Sequence, residues 1–241
     1  MCKRQNTRRH RCRVPLCAWL RRAVVVAFLA ASGEAAAGEN LLRNGSFDDG
    51  ETRAAHWERA NGLTTFFVRA KGRGRVVKMD TQVERNQALA WMERFAADPT
   101  LQPPEKKPVG RKSYGTIGAV EGVRLDSEFI PAKKGQNYKL TADIKSRGKP
   151  IVWIKGFMRH PRRDAYVDAY QTRLVPGKPS PAEWRTFTVG FNPTKRTPRV
   201  EKFKVRLYAY WPNGIYYFDN IRVEPITEEE MAELLKAREE D

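Results

Sequence analysis

Aromatic and charged side chains alternate along three strand-like stretches, at residues 151–158, 165–174 and 203–211. Because successive side chains of a strand point to opposite sides, every second residue of each stretch shares a face. Flat aromatic rings can stack on the apolar side of a pyranose, and fixed polar groups can bond its hydroxyls. If the three faces coincide, they form a platform that could bind a sugar. The residues on it are Trp153, Lys155, Tyr166, Asp168, Tyr170, Arg206 and Tyr208.

The same rings have a second interpretation. They could pack beneath a helical segment of the chain or against the other sheet of a sandwich. Buried packing and ligand stacking use the same residue types. Alternation alone therefore leaves both interpretations open.

Carboxylates occur near both ends of the strand-rich part. Residues 40–50 (NLLRNGSFDDG) indicate a short strand and a tight turn at Asn44-Gly45, since both residues tolerate positive φ. Asp48 follows this turn, and Asp219 lies inside the strand-like run 215–224. The first and last strands are therefore both expected to carry an acid.

Residues that could catalyse a reaction are sparse. Outside the first 37 residues the histidines are His56 and His160, and neither has metal-ligand spacing around it. No G-x-S-x-G pattern occurs. Asp164 and Asp168 could pair as acid and base, but alternate acids on one strand face are common. The cysteines are Cys2, Cys12 and Cys17. We expect no enzyme, and a small polysaccharide-active enzyme stays an alternative.

Residues 1–37 predict a secretory signal peptide. A basic segment is followed by the apolar run 23–31 and by Ala35-Ala36-Ala37, an A-x-A cleavage pattern. The apolar run is too short to span a bilayer, so no stable membrane span is expected after cleavage. An uncleaved membrane anchor is the alternative. The mature chain lacks cysteine and is expected to be secreted, periplasmic or at the cell surface.

The chain is strongly basic, with a formal net charge of +17. A basic exported body favours acidic partners, such as anionic glycans or a membrane surface. Nucleic acid is not expected as a partner of an exported chain. A solvated basic surface without a ligand is the alternative.

The body between these segments is predicted to be all-β. Strands are predicted at 40–42, 63–70, 76–79, 123–130, 137–145, 151–158, 165–174, 184–191, 203–211 and 215–224. The stretch 71–75 (KGRGR) predicts a hairpin turn, and Pro212-Asn213-Gly214 predicts a second hairpin between the last two strands.

Two helices are predicted outside the strands. Residues 81–97 have helical spacing and precede a Pro/Lys-rich loop, so about 81–115 is an insertion in which Trp91 packs onto the body. Thr227 and Glu230 form a capping box for an acidic helix over 227–241. That helix either docks on the body or contacts a partner protein.

Four motifs together resemble carbohydrate-binding modules of families four, nine and twenty-two. They are NLLRNGSFDDG at 40–50, FIP through GQNYKLTA at 129–142, Trp184 opening a strand, and YFDNI at 217–221. The resemblance implies a galactose-binding-like β-sandwich (jelly roll) over 38–226, interrupted by the insertion. It also implies a structural calcium held by Asp48 and Asp219, with backbone carbonyls near Asn44 and Lys78, in line with the oxygen preference of that ion. Alternatively, Asp48 caps a turn and Asp219 pairs with a base.

The sequence thus predicts an exported, non-catalytic carbohydrate-binding module, and its basic charge favours an acidic polysaccharide as the ligand. An envelope structural or interaction protein with the same fold is the alternative. In that case the insertion and the C-terminal helix would be its contact surfaces.

Overall fold

Two antiparallel sheets contain the strands of the computed structural model, which describes residues 38–51, 53–109 and 114–240. The first has the order β1 (Thr65–Ala70), β2 (Gly74–Asp80), β10 (Ile215–Ile226), β5 (Asn137–Ser146) and β8 (Arg185–Phe191). The second has the order β3 (Val123–Asp126), β9 (Lys202–Ala209), β6 (Ile151–Arg159) and β7 (Tyr166–Leu174), with β4 (Ile130–Pro131) also paired to β9. The predicted signal peptide at 1–37 lies outside the described residues.

The core lies between the inner faces of these sheets. In β5 the alternate residues Tyr138, Leu140, Ala142 and Ile144 are buried, as their spacing predicts. The second sheet contributes Val205, Leu207 and Ala209 of β9 and Val152 and Ile154 of β6 to the same apolar cluster. The predicted all-β sandwich, with a helical insertion and a C-terminal helix, is confirmed.

Helix α1 (Arg85–Ala97) lies within the predicted insertion. The carboxylate of Glu84 caps it by accepting the N–H groups of Asn86 and Gln87 at 3.0 and 2.7 Å. Trp91 is 2% exposed, and its indole N–H donates to the Asn61 carbonyl at 2.7 Å. The prediction that Trp91 packs the helix onto the body is confirmed. A single turn, α2 (Ile117–Val120), follows.

Helix α3 (Glu228–Glu240) begins at the predicted capping box. The Thr227 amide donates to the Glu230 carboxylate at 2.9 Å, and the Glu230 amide donates back to the Thr227 hydroxyl at 3.2 Å. The helix docks on the first sheet, where Met231 packs against Gly190 of β8. The contact is close, since a Cβ added to Gly190 would lie 2.5 Å from the Met231 sulfur. Of the two alternatives for this helix, the structure shows docking on the body. No described helix combines the length and apolarity that a membrane crossing requires.

Three element predictions need correction. Residues 40–50 form turns beside β10 instead of a strand, with the Leu41 N–H donating to the Val223 carbonyl at 2.8 Å. The predicted strand 123–130 is divided into β3 and β4, because the Ser127 hydroxyl replaces a backbone acceptor for the Val205 N–H at 3.0 Å. The predicted hairpin at 212–214 is wrong, since β9 and β10 belong to different sheets. The hairpin turn at 71–75 is confirmed by the pairing of Ala70 with Gly74.

Candidate functional site

The outer face of the second sheet brings together most of the predicted platform. Trp153 of β6 lies opposite Arg206 of β9, and Lys155 lies opposite Lys204. The residues between them along each strand are buried, so these side chains point away from the core. Tyr208 also lies on this outer face, where its ring stacks on Tyr210 with centroids 5.5 Å apart. The outward faces of β6 and β9 therefore coincide, which meets the condition for a platform on these two strands.

Strand β7 follows the predicted alternation only in its first half, from Tyr166 to Asp168. Tyr166 pairs with Arg159 and Asp168 pairs with Phe157, which puts both on the outer face. A register shift between Gly156 and Phe157 then moves Tyr170 opposite Gly156, on the inner side. Tyr170 is partly buried against the core. The prediction that Tyr170 shares the face of Tyr166 and Asp168 is therefore wrong, because strict alternation does not anticipate a β-bulge.

A buried carboxylate that is not among the predicted site residues, Asp126, pairs with two cations of this face. Asp126 of β3 is 2% exposed and accepts two hydrogen bonds from the Arg206 guanidinium at 2.6 and 2.8 Å. It also pairs with Lys204. Burial alone would raise the pKa of Asp126, but the hydrogen bonds from Arg206 and Lys204 outweigh it and hold that pKa below its ordinary value. This position was predictable from the alternation of residues 123–126, since it places Asp126 on the same face as Arg206.

A second ion pair crosses from β6 to β7. The Lys155 ammonium lies 2.6 Å from an Asp168 carboxylate oxygen and donates to the Gln171 side chain at 2.9 Å. The Asp168 side chain is 45% exposed, so this pair is screened by water. Both residues belong to the predicted platform, and the structure places them in direct contact.

Two further residues, Phe129 and Lys202, complete an aromatic notch at one end of the face. The Lys202 ammonium lies 3.3 Å from the Tyr166 ring centroid and 4.1 Å from that of Phe129. Phe129 packs edge-on against Phe157, with centroids 5.2 Å apart. Phe129 falls in the break between β3 and β4, where no alternation could place it. Lys202 lies one residue before the predicted strand 203–211.

The predicted metal ligands Asp48 and Asp219 have other partners. Asp48 accepts the Arg75 amide at 2.8 Å. Asp219 accepts from the Arg73 guanidinium at 3.0 Å, and the same guanidinium nitrogen lies 2.6 Å from Asp143. Burial raises the pKa of Asp219 despite Arg73. Burial acts in the same direction on Asp143, but hydrogen bonds, the first from Thr186, lower its pKa overall.

These residues do not fit a calcium ion. Arg73 already pairs with Asp219 and with Asp143, and Trp184 covers its guanidinium at 4.4 Å. Within the described ranges, no group of three or more His, Cys, Asp or Glu side chains is arranged to hold a metal. The contacts correspond to the alternative in which Asp48 closes a turn and Asp219 pairs with a base.

The histidines lie apart from the platform in separate local contacts. The His56 Nδ1 lies 3.0 Å from Glu128, and the His160 Nδ1 accepts the Arg162 amide at 3.1 Å. Asp164, the proposed acid/base partner of Asp168, forms an exposed ion pair with Arg159 at 3.3 Å. These contacts hold loops and strand ends, and none of them joins Asp164 to Asp168.

No protein-family model and no curated protein matches the chain. Several solved structures are similar to it. The CBM22-1 xylan-binding domain from Paenibacillus barcinonensis Xyn10C matches 79% of this chain and 97% of its own at 10% identity, with a TM-score of 0.40. TmCBM61 in complex with β-1,4-galactotriose matches 78% of this chain and 99% of its own at 10% identity, with a TM-score of 0.39.

The enzymatically active domain of the bacteriophage CBA120 tailspike protein 4 is also similar. It matches 78% of this chain at 10% identity with a TM-score of 0.45, and this chain spans 21% of its length. The similar structures thus include both carbohydrate-binding modules and an enzyme domain. At identities of 10%, no residue role transfers from them to this chain.

Proposed function

We propose that this protein is a non-catalytic carbohydrate-binding module and that the outer face of its second sheet is the binding surface. One observation carries the proposal: strand register places Trp153 and Tyr166 on the same face as a row of cationic side chains, and the ring of Phe129 lies against one of them, Lys202. Rings and hydrogen-bonding groups on a rigid sheet are what a sugar chain needs for stacking and for its hydroxyls. Xylan and galactotriose, named for two of the similar structures, belong to this ligand class.

The charge of the face favours an acidic polysaccharide. Its outward cations outnumber the strand acids Asp126 and Asp168, even when Asp164 beside Arg159 and Glu201 beside Tyr166 are added. A positive face attracts a polyanion through long-range electrostatics. Those cations are Arg124, Lys155, Arg159, Arg173, Lys202, Lys204 and Arg206. Binding is therefore expected to weaken as salt concentration rises, because salt screens exposed charges.

A panel of neutral and acidic polysaccharides tests the ligand class. The protein is expected to be retarded in native gels that contain an acidic polysaccharide, with less retardation at high salt. Retardation by no polysaccharide at all would contradict the proposal. Release of reducing ends from any member of the panel would instead favour the enzyme.

The proposal includes action outside the cytoplasm, at a secreted, periplasmic or cell-surface location. The signal-like residues 1–37 support this part of it. Cleavage after Ala37 is expected, and the N-terminal sequence of the exported chain would reveal it. An exported chain that begins at Met1 would favour the uncleaved anchor.

A further inference from the structure

Lys202 differs from the other two lysines of the sheet face, Lys155 and Lys204, in what it touches. Lys204 pairs with Asp126, and Lys155 pairs with Asp168. Lys202 forms no ion pair with any carboxylate in the part of the chain that the structure describes. Its ammonium lies instead against the rings of Tyr166 and Phe129, at 3.3 and 4.1 Å from their centroids. The positive charge is held by ring faces and remains available to an anion.

The backbone fixes this position. Lys202 pairs with Phe157 of β6 on one side and with Pro131 of β4 on the other. Tyr166 is held as well, because its hydroxyl lies 3.1 Å from the Glu201 carboxylate and Arg159 lies 5.7 Å from its ring centroid. The ammonium therefore lies in a notch formed by β4, β6 and β7 and by the loop that carries Phe129.

The occupied rings have a consequence for ligand choice. A neutral sugar that stacks on Tyr166 or Phe129 must first displace the ammonium and so lose a favourable cation–π contact. A sugar that carries a carboxylate or sulfate has no such cost, because its anion can pair with the ammonium where it lies. The notch thus disfavours neutral chains and favours anionic ones.

We propose that Lys202 is the residue that makes this face selective for anionic over neutral glycans, with Tyr166 and Phe129 holding its charge in place. The inference rests on the proposed function, since it concerns the same face. It adds a determinant that lies outside the residues expected to stack on the sugar.

The test uses glycan pairs that differ only in the anionic group: oligogalacturonate with its methyl ester, and a sulfated galactan with its desulfated form. Binding of the full chain is measured by calorimetry for the wild type, Lys202→Gln, Lys202→Arg and Lys71→Gln. Lys71 is an exposed lysine at the tip of the β1–β2 hairpin and serves as the charge-matched control. The two pairs also distinguish a carboxylate ligand from a sulfate ligand.

We expect the wild type to prefer the acidic member of at least one pair. Lys202→Gln should weaken binding of that member about fivefold, the worth of one partly exposed ion pair. It should leave the neutral member unchanged or bound more tightly, because the rings become free. Lys202→Arg should keep the preference, and Lys71→Gln should behave as the wild type.

Other results overturn the inference in ways that separate it from the proposed function. If neutral and acidic members bind equally, or if Lys202→Gln weakens both alike, the selectivity role of Lys202 is rejected while carbohydrate binding stands. If the wild type binds no glycan in either pair or in the wider panel, the proposed function fails and the inference fails with it.

Discussion

At the scale of single residues, ion pairs fix the positions of the charged side chains on the outer face. Asp126 is buried yet ionised because Arg206 and Lys204 both bond it. Alternation predicted the outward positions of Trp153, Lys155 and Arg206 from sequence. It could not predict Tyr170, whose side is set by a bulge, or Phe129, which lies between two strands. Nor could it predict the role of Lys202, because that role depends on contacts with Tyr166 and Phe129, which are distant from it in sequence.

Asp126→Asn should destabilise the protein by about 2 kcal/mol at neutral pH, because charge-assisted hydrogen bonds are lost and two cations keep no carboxylate. The folded-state pKa of Asp126 is lowered. Its contribution is therefore present above the unfolded pKa of about 3.9 and is lost as pH falls through the lower folded value. Urea unfolding of wild type and variant across this range measures the difference.

Asp168→Asn is the matched control, because it removes a half-exposed carboxylate from the same face. It should cost less than about 1 kcal/mol. The difference in unfolding free energy between wild type and Asp126→Asn should shrink as the pH falls through the folded-state pKa of Asp126. A difference that stays constant at acid pH would contradict the role of the ionised carboxylate.

At the scale of elements, the turn at 43–46 packs so closely on β10 that it leaves no room for a regular strand. The Ile221 N–H donates to the Gly45 carbonyl at 2.9 Å, and Asn40 accepts the Val223 N–H at 2.9 Å. The tight turn was predictable from Asn44-Gly45 itself. Its position against the last strand was not, because nothing local in the sequence indicates an approach across 180 residues of chain.

Gly45→Ala should destabilise the fold by about 3 kcal/mol, because an added Cβ would lie 1.8 Å from the Ile221 carbonyl oxygen and the backbone must move. Gly177→Ala is the control, since a Cβ there meets nothing within 4 Å. Urea denaturation of both variants measures the two costs. Equal stabilities would show that the turn does not pack on β10 as described.

At the scale of the whole molecule, ion pairs between segments distant in sequence stabilise the first sheet. Arg73 in the turn of the β1–β2 hairpin reaches Asp143 of β5 and Asp219 of β10, and so joins the hairpin turn to two strands of the first sheet. The resemblance to carbohydrate-binding modules predicted the two-sheet architecture from motifs near both ends. It also implied a structural calcium at Asp48 and Asp219, whereas the structure pairs Asp219 with this arginine. The 212–214 turn was misassigned because a Pro-Asn-Gly turn signal does not reveal whether two strands share a sheet.

Calcium and chelator are expected to leave the melting temperature of the wild type unchanged, because Arg73 already pairs with both Asp143 and Asp219. Arg73→Met should lower the stability by about 2 kcal/mol, since Asp143 and Asp219 then face each other without a cation. Differential scanning calorimetry measures both effects. A calcium-dependent rise in the wild-type melting temperature would contradict the arginine assignment.

The central claim is that the outer face of the second sheet binds a carbohydrate, and one comparison tests it most directly. Affinity electrophoresis in an acidic polysaccharide gel would compare the wild type, the double variant Trp153→Ala/Tyr166→Ala, and Tyr217→Ala. Tyr217 is an aromatic residue on the outer side of the opposite sheet, where its neighbours Tyr216 and Phe218 point inward. Retardation should be lost in the double variant and kept in Tyr217→Ala. Retardation that survives in the double variant, or that Tyr217→Ala abolishes, would contradict the account.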